Sequence, residues 1–139
     1  MAREPQCELV VDSSALIAML LSEPRAAALL SAMLNADTCW ISAFSLLEAS
    51  IVITARKGTA GRLALDSLLQ VLGVETIPLT AEHVLLARTA WQTYGKGNHA
   101  AGLNIGDCCA YALSRHAGFP LLAVGNDFSQ TDVELVPLD

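Results

Sequence analysis

The chain is organised around the stretch Leu103–Tyr111, which reads Leu-Asn-Ile-Gly-Asp-Cys-Cys-Ala-Tyr. Its one carboxylate, Asp107, stands at the expected start of a helix, and no other residue from 97 to 114 is charged when His99 is neutral. Three further acids are each the only charge of their stretch when His116 is neutral: Asp12 in 9–22, Glu48 in 38–55 and Asp127 in 116–131. None of these stretches contains Lys or Arg. The repeated pattern predicts that the acids converge.

Short apolar segments alternate with helical segments along the whole chain. Strands are predicted at residues 9–11, 39–41, 75–77, 120–124 and 133–136. Helices are predicted at residues 15–21, 24–34, 43–57, 61–72, 80–94 and 107–116. This alternation predicts an α/β fold, a three-layer sandwich with a mainly parallel central sheet of about five strands. No composition shift or linker divides the sequence, so residues 1–139 are expected to form a single domain.

The composition is apolar for a protein that stays in water. Hydrophobic residues make up 53% of the chain and charged residues 16%, against roughly 25% charged in ordinary globular domains. This imbalance predicts a buried interface with a partner. No uncharged run is apolar enough for a membrane span, and residues 1–8 lack the apolar core of a signal peptide. We therefore expect a cytoplasmic protein without membrane contact.

Net charge and cysteine spacing bear on two further kinds of function, nucleic-acid binding and zinc binding. The formal charge of −6 argues against non-specific nucleic-acid binding, although the eight Lys and Arg residues could form a local patch. Bound metal would also offset part of the negative charge. Cysteines at positions 7, 39, 108 and 109 form no CxxC pair, so a zinc site is not favoured and buried free thiols are expected.

Topology gives a reason for the acids to meet. Open parallel sheets bind ligands at the carboxyl ends of their strands. Asp12 follows the first predicted strand, and Asn126 with Asp127 follows the fourth. Asp107 is expected to open a helix that starts at the same edge, and Glu48 lies about one helical turn below it.

Clustered carboxylates raise each other's pKa and repel. With no base nearby in sequence, a hard divalent cation such as Mg²⁺ would neutralise them, bound by carboxylates, waters and substrate phosphate oxygens. A cation held in this way orients and activates water for in-line attack on a phosphodiester. The pattern therefore predicts metal-dependent hydrolysis at Asp12, Glu48, Asp107 and Asp127.

Each acid also has an ordinary structural interpretation. Asp12 could end a strand and begin the following turn, and Asp107 could simply favour the helix dipole. Glu48 could face solvent or be buried with a compensating partner, and Asp127 could be a turn residue. Four such coincidences together are less expected than one site.

Four motifs, in this order and at this spacing, resemble PIN domains, most closely the VapC-type toxins of bacterial toxin–antitoxin pairs. They lie at residues 10–18 (Val-Val-Asp-Ser-Ser-Ala-Leu-Ile-Ala), 41–49 (with Ile-Ser-Ala and Leu-Leu-Glu-Ala), 103–108 (Leu-Asn-Ile-Gly-Asp-Cys) and 121–128 (Leu-Leu, then Gly-Asn-Asp-Phe). The resemblance covers nearly the whole chain.

The resemblance implies a parallel-sheet sandwich, usually dimeric, that cuts RNA endonucleolytically with Mg²⁺ or Mn²⁺. It maps the family's first three acids to Asp12, Glu48 and Asp107, and the polar residue after the first acid to Ser13. At the fourth position many members carry two acids, two residues apart. Here Gly125 takes the first of those places and Asp127 the second, with Asn126 between them. A weaker ligand, or one that acts through water, is therefore expected there.

The resemblance further implies a VapB-like antitoxin, whose tail covers the acidic rim and offers an Arg to the carboxylates. The leading interpretation is thus a metal-dependent endoribonuclease toxin. A non-catalytic PIN-like module that docks a basic partner on its acidic rim is the rival from another class. A third hypothesis is a metal phosphodiesterase that acts on DNA or structured flaps, for which the chain lacks the expected insertions.

Overall fold

A computed structural model describes residues 6–138 of the chain. The expectation about a signal peptide therefore falls largely outside the described residues. Strands and helices alternate in the order β1 (Glu8–Val11), α1 (Ser13–Leu20), α2 (Ala26–Asn35), β2 (Thr38–Ser42), α3 (Ala43–Val71), β3 (Glu75–Ile77), α4 (Ala81–Tyr94), α5 (Ile105–Ala117) and β4 (Leu121–Leu122). A short 3-10 helix, Phe128–Gln130, follows β4.

The four strands form one sheet in the order β3-β2-β1-β4. Every pairing is parallel, with Val10 opposite Trp40 on one side of β1 and opposite Leu121 on the other. From β1 the chain continues outward through β2 and β3, and β4 then returns to the far side of β1. Strand order therefore reverses between β1 and β4, which is the place where open parallel sheets bind ligands.

The central strand β1 is buried on both faces, as its unbroken apolar sequence predicts. Leu9 and Val11 pack into a core with residues of α1, α2 and α3. Val10, between them, packs into a second core with residues of α4 and α5. Successive side chains of a strand point to opposite faces, so the sheet has helices on both sides. The predicted three-layer α/β sandwich is confirmed.

The predicted strand count is slightly wrong. Residues 133–136 do not form a fifth strand; within the described range they make only an isolated bridge between Leu135 and Leu121. Pro137 follows this segment, and proline lacks the N–H that a longer ladder needs. The fourth strand is also shorter than predicted and spans only Leu121–Leu122.

Helix boundaries differ from the prediction in α1, α2, α3 and α5, and the differences in α3 and α5 have a clear physical cause. The two helices predicted at 43–57 and 61–72 form one element, α3, but Gly58 inside it has φ 64° and ψ −153°. The predicted break is therefore present as a kink that glycine alone adopts easily. Helix α5 begins at Ile105, two residues before the predicted start, because Asn104 rather than Asp107 is its N-cap.

The cysteines and the membrane prediction can also be compared with the structure. Cys39, Cys108 and Cys109 are buried free thiols as predicted, but Cys7, which precedes β1, is exposed. No helix in the described part of the chain has the length and hydropathy needed to cross a bilayer.

Candidate functional site

Asp12 follows the last residue of β1 and is the N-cap of α1. Its Oδ2 accepts a hydrogen bond of 3.1 Å from the backbone N–H of Ser14. The residue is only 2% exposed, and its Oδ1 is buried without a hydrogen-bond partner among residues 6–138. Buried polar atoms nearly always have partners, so this unpaired oxygen needs an explanation. The strand-end interpretation of Asp12 accounts for one of its two oxygens only.

Glu48 stands in the second turn of α3 and is neither fully buried nor turned out to solvent. The hydroxyl of Ser13 donates a hydrogen bond of 2.7 Å to Glu48 Oε1. On another side, the carboxylate lies against Gly106 in the first turn of α5, where a Cβ atom would come within 2.7 Å of Glu48 Cδ. Contacts with α1 and α5 thus hold this carboxylate at the sheet edge.

Asp107 occupies the third position of α5 and forms a capping box with Asn104. Asn104 Oδ1 accepts a bond of 2.8 Å from the Asp107 N–H, and Asp107 Oδ2 accepts one of 3.0 Å from the Asn104 N–H. The helix-start interpretation of Asp107 is therefore correct in part. One oxygen serves the helix, and the second lies outside the capping box.

Asp127 and Asn126 lie in the turn after β4, and both are exposed. Asp127 precedes the short 3-10 helix and makes no side-chain capping bond to it. Its charge is nevertheless close enough to raise the pKa of Asp107. The structure therefore brings three of the predicted acids together and leaves the fourth at their margin.

Asp12, Glu48 and Asp107 line one pocket of about 350 Å³ at the carboxyl end of β1. A fourth acid, Glu23, and the polar residues Ser13, Ser14 and Asn104 also line it. No Lys or Arg lines the pocket within residues 6–138. The three acids come from three different elements, which supports the predicted convergence at the edge where strand order reverses.

The ionisation of these acids reflects their burial. Desolvation, followed by the charges of Asp107 and Glu48, raises the pKa of Asp12 to about 6, although the hydrogen bonds from Ser14 oppose the shift. Burial also raises the pKa of Asp107, with smaller contributions from the charges of Asp127 and Glu48. Without a positive counterpart, the cluster thus holds its negative charge less readily than separate carboxylates do.

The donor set fits a hard cation. All the available atoms are carboxylate, hydroxyl or amide oxygens, and the unpaired Oδ1 of Asp12 lacks the partner that a cation would provide. Across residues 6–138, however, no three acidic, His or Cys side chains already stand in an arrangement that encloses a metal ion. The pocket therefore suits Mg²⁺ or Mn²⁺ bound by carboxylates together with several waters, rather than a closed protein cage.

Several residues of this site were missed from the sequence. Asn104 carried a recognisable signal, since Asn followed three residues later by an acid is a capping-box pattern. Ser14 accepts a 3.0 Å bond from the Val124 N–H and so ties the site to the segment after β4. Glu23 and Gly106 reach the pocket through tertiary packing alone, which no local pattern indicates.

The model of the PIN domain matches residues 9–134 of this chain. The VapC ribonuclease Mb0640 of Mycobacterium bovis is 43% identical over 130 residues, which cover 94% of this chain and 99% of that protein. Ribonuclease VapC36 of Mycobacterium tuberculosis is 42% identical over 127 residues, 91% of each chain.

Solved structures share the fold. The chain resembles VapC20 of Mycobacterium tuberculosis, described as a Sarcin-Ricin loop cleaving toxin, with a TM-score of 0.75, 19% identity and coverage of 92% of this chain and 98% of that one. It also resembles a chain of VapBC2 from Rickettsia felis, bound to a DNA fragment from the promoter, with a TM-score of 0.72, 16% identity and coverage of 95% and 99%. At these identities the likeness concerns the fold alone.

Proposed function

The chain belongs to the PIN-domain family, and from this premise we propose that it is a metal-dependent endoribonuclease, the toxin of a toxin–antitoxin pair. One observation carries the proposal. Asp12, Glu48 and Asp107 come from separate elements and, with Glu23, line a pocket that has no Lys or Arg among its described residues, and one buried carboxylate oxygen has no partner in residues 6–138. Relatives above 40% identity are named ribonucleases, so a non-catalytic docking module is not favoured.

We propose that Mg²⁺ or Mn²⁺ is held by Asp12, Glu48 and Asp107. When bound, such a cation polarises a phosphodiester and lowers the pKa of water. The chain's own part is positioning. Asp12 offers its unpaired Oδ1 from a rigid strand end, Ser13 orients Glu48, and the capping box orients Asp107.

Asp127 and Asn126 have a lesser role in this proposal. Both side chains are exposed beside the pocket rather than in its wall. Asp127 adds negative charge near Asp107, which favours a cation and its waters without requiring direct ligation. This accords with the departure from the family pattern at Gly125.

A VapB-like antitoxin is the proposed protein partner. The pocket has no Lys or Arg among its described lining residues, so it suits the guanidinium of an antitoxin Arg, which pairs with carboxylates through two hydrogen bonds. An apolar groove of about 510 Å³ lies beside α1, α2 and the second half of α3, and it suits the apolar face of a partner helix. Its larger lining residues are Met19, Leu20, Leu30, Leu68 and Val71. A small antitoxin-like reading frame next to this one would support the pairing, and its absence would count against it.

A second copy of the chain is the proposed occupant of another apolar surface, formed by α4, α5 and the segment just before α4. Large side chains are exposed there around a groove of about 450 Å³. They are Leu79, Val84, Trp91 and Ile105. Burial of such a patch accounts for the low charge content of the chain. Light scattering on the purified protein tests this, since a monomeric mass at micromolar concentration would contradict it.

The test of the activity is cleavage of a labelled RNA pool by antitoxin-free protein in Mg²⁺, in Mn²⁺ and in EDTA, beside the variant Asp107→Asn. The amide oxygen introduced by this substitution can still accept the bond from the Asn104 N–H, so the variant is expected to fold. Cleavage that requires metal and is lost in the variant supports the proposal. Equal cleavage by both proteins would mean a contaminant or a different site.

RNA is the proposed substrate despite the net charge of −6, and the cytoplasm is the proposed compartment. Binding of the cation would reduce the repulsion of phosphates. Parallel arms with single-stranded DNA and a structured DNA flap distinguish this from the DNA-directed alternative.

A further inference from the structure

Gly106 is a buried glycine in the first turn of α5. Glycine is the poorest helix former after proline, because it loses the most backbone freedom on folding. Glycine in a helix is usually explained by a left-handed backbone, but the φ angle of Gly106 is not positive. A helical backbone would accept alanine here. The reason for glycine at 106 is therefore space rather than conformation.

That space is filled by the Glu48 carboxylate. A Cβ atom built on Gly106 would collide with both carboxylate oxygens of Glu48 and would stand 2.7 Å from its Cδ. The three atoms that would lie nearest to this Cβ all belong to Glu48. Real Cβ atoms do not tolerate such approaches, so an alanine at 106 would force the carboxylate to move.

Movement of the carboxylate would disturb the hydrogen bond that holds it on its other side. Its Oε1 accepts the 2.7 Å bond from the Ser13 hydroxyl. Ser13 is the first residue of α1 and Gly106 lies in α5, so Glu48 is clamped between the starts of two helices. Glu48 lines the same pocket as Asp12 and Asp107, which places its carboxylate beside both of them.

We propose that Gly106 is a positioning residue, whose missing side chain seats the Glu48 carboxylate between Ser13 and α5, beside the other two acids. The inference rests on the proposed function, since it concerns the place where the cation binds. The inference goes beyond the proposed function because it assigns a role to a residue that has no functional group. The clamp is built from packing, so it can be altered without removing any acid.

The test compares Gly106→Ala with the wild type and with Gly61→Ala. Gly61 is a matched control, because it too is a buried helical glycine whose added Cβ would collide with neighbours, in this case Lys57 and Ile53. Two quantities are measured: the Mn²⁺ concentration that gives half-maximal RNA cleavage, and the rise in melting temperature on adding Mn²⁺ to metal-free protein. The second needs no RNA and no activity.

For Gly106→Ala, we expect the half-maximal Mn²⁺ concentration to rise at least about tenfold, as when a residue that orients a ligand is lost. The Mn²⁺-induced rise in melting temperature should shrink with it, since ligand stabilisation follows affinity. Gly61→Ala should keep both values, whatever it does to the melting temperature of the metal-free protein.

Rescue separates positioning from damage to α5. Glu48→Asp shortens the side chain by one methylene and withdraws the carboxylate from position 106. The double variant Gly106→Ala/Glu48→Asp should therefore bind Mn²⁺ better than the two single effects predict when added. If Gly106→Ala does not fold, recovery of folding in the double variant supports the clash with Glu48. Failure of both to fold overturns it.

The outcomes distinguish this inference from the proposed function. Unchanged Mn²⁺ responses in Gly106→Ala overturn the positioning role and leave the nuclease intact. A wild type that is stabilised by Mn²⁺ but cleaves no RNA overturns the nuclease, and the variants still decide the role of Gly106. A wild type that shows neither effect overturns both.

Discussion

Asp12→Asn should stabilise the metal-free protein while abolishing RNA cleavage. Asp12 is 2% exposed and its Oδ1 has no partner. Burial therefore opposes its ionisation and raises its pKa from 3.8 to about 6. Asparagine removes the charge, keeps an oxygen for the Ser14 N–H and has nearly the same shape.

The size and sign follow from the raised pKa. A shift from 3.8 to about 6 is about two units, and at about 1.4 kcal/mol per unit the ionised carboxylate weakens folding by about 3 kcal/mol. Because the folded pKa is raised, this loss is absent below about pH 4, grows as the pH rises and is complete above about pH 7. The asparagine amide also lacks a partner at the Oδ1 position, which reduces the expected gain to about 1–3 kcal/mol.

The assay is thermal unfolding of both proteins in EDTA at pH values between 4 and 8. At pH 8 we expect the melting temperature of Asp12→Asn to lie about 4–12 °C above that of the wild type, for a domain of this size. The difference should shrink towards pH 4, where wild-type Asp12 is protonated when folded. A variant that is less stable at pH 8, or a difference that does not change with pH, would refute the argument from burial.

Three further predictions concern other parts of the fold. Burial and His116 lower the pKa of His83 below its ordinary 6.5, so the unfolding free energy should fall as the pH drops below about 6.5. In His83→Gln, the difference in unfolding free energy between pH 5.5 and pH 7.5, measured by urea titration, should be smaller than in the wild type. Tyr111→Phe removes the hydroxyl that donates to Asp132 and should lower the unfolding free energy by about 1 kcal/mol in the same assay. Asp127→Ala should reduce cleavage only about tenfold, because its side chain stands outside the pocket wall; complete loss would make it a direct ligand.

The architecture was predictable because the strands and helices alternate in a regular way. Leu9, Val10 and Val11 form an apolar run that suits only a strand covered on both faces, and the structure buries each of them. The segment 133–136, Val-Glu-Leu-Val, is also predicted to be a strand, yet it makes only an isolated bridge. Composition identifies a segment that tolerates an extended backbone. Whether a ladder forms depends on a neighbouring strand edge, which the sequence does not describe.

The site was predictable to the extent that topology alone determines it. Asp12 is brought to the pocket by the end of β1, and Asp107 by the start of α5. The contacts that orient the acids were not predictable, since Ser13 meets Glu48 across 35 residues of sequence. Gly106 is the extreme case, because a residue without a side chain gives no chemical signal until its neighbours are known.

The sequence presented Asp12 and Asp107 as either structural residues, at a strand end and a helix start, or parts of a site, and the structure removes this opposition. A carboxylate has two oxygens. Asp12 caps α1 with Oδ2 and leaves Oδ1 unpaired, and Asp107 uses Oδ2 in its capping box. Capping fixes the side chain on a rigid element, so the remaining oxygen is held in place before any cation arrives. The structural role of these acids is therefore a means of positioning them for the proposed chemistry, and replacement by asparagine separates the two because it preserves the cap and removes the charge.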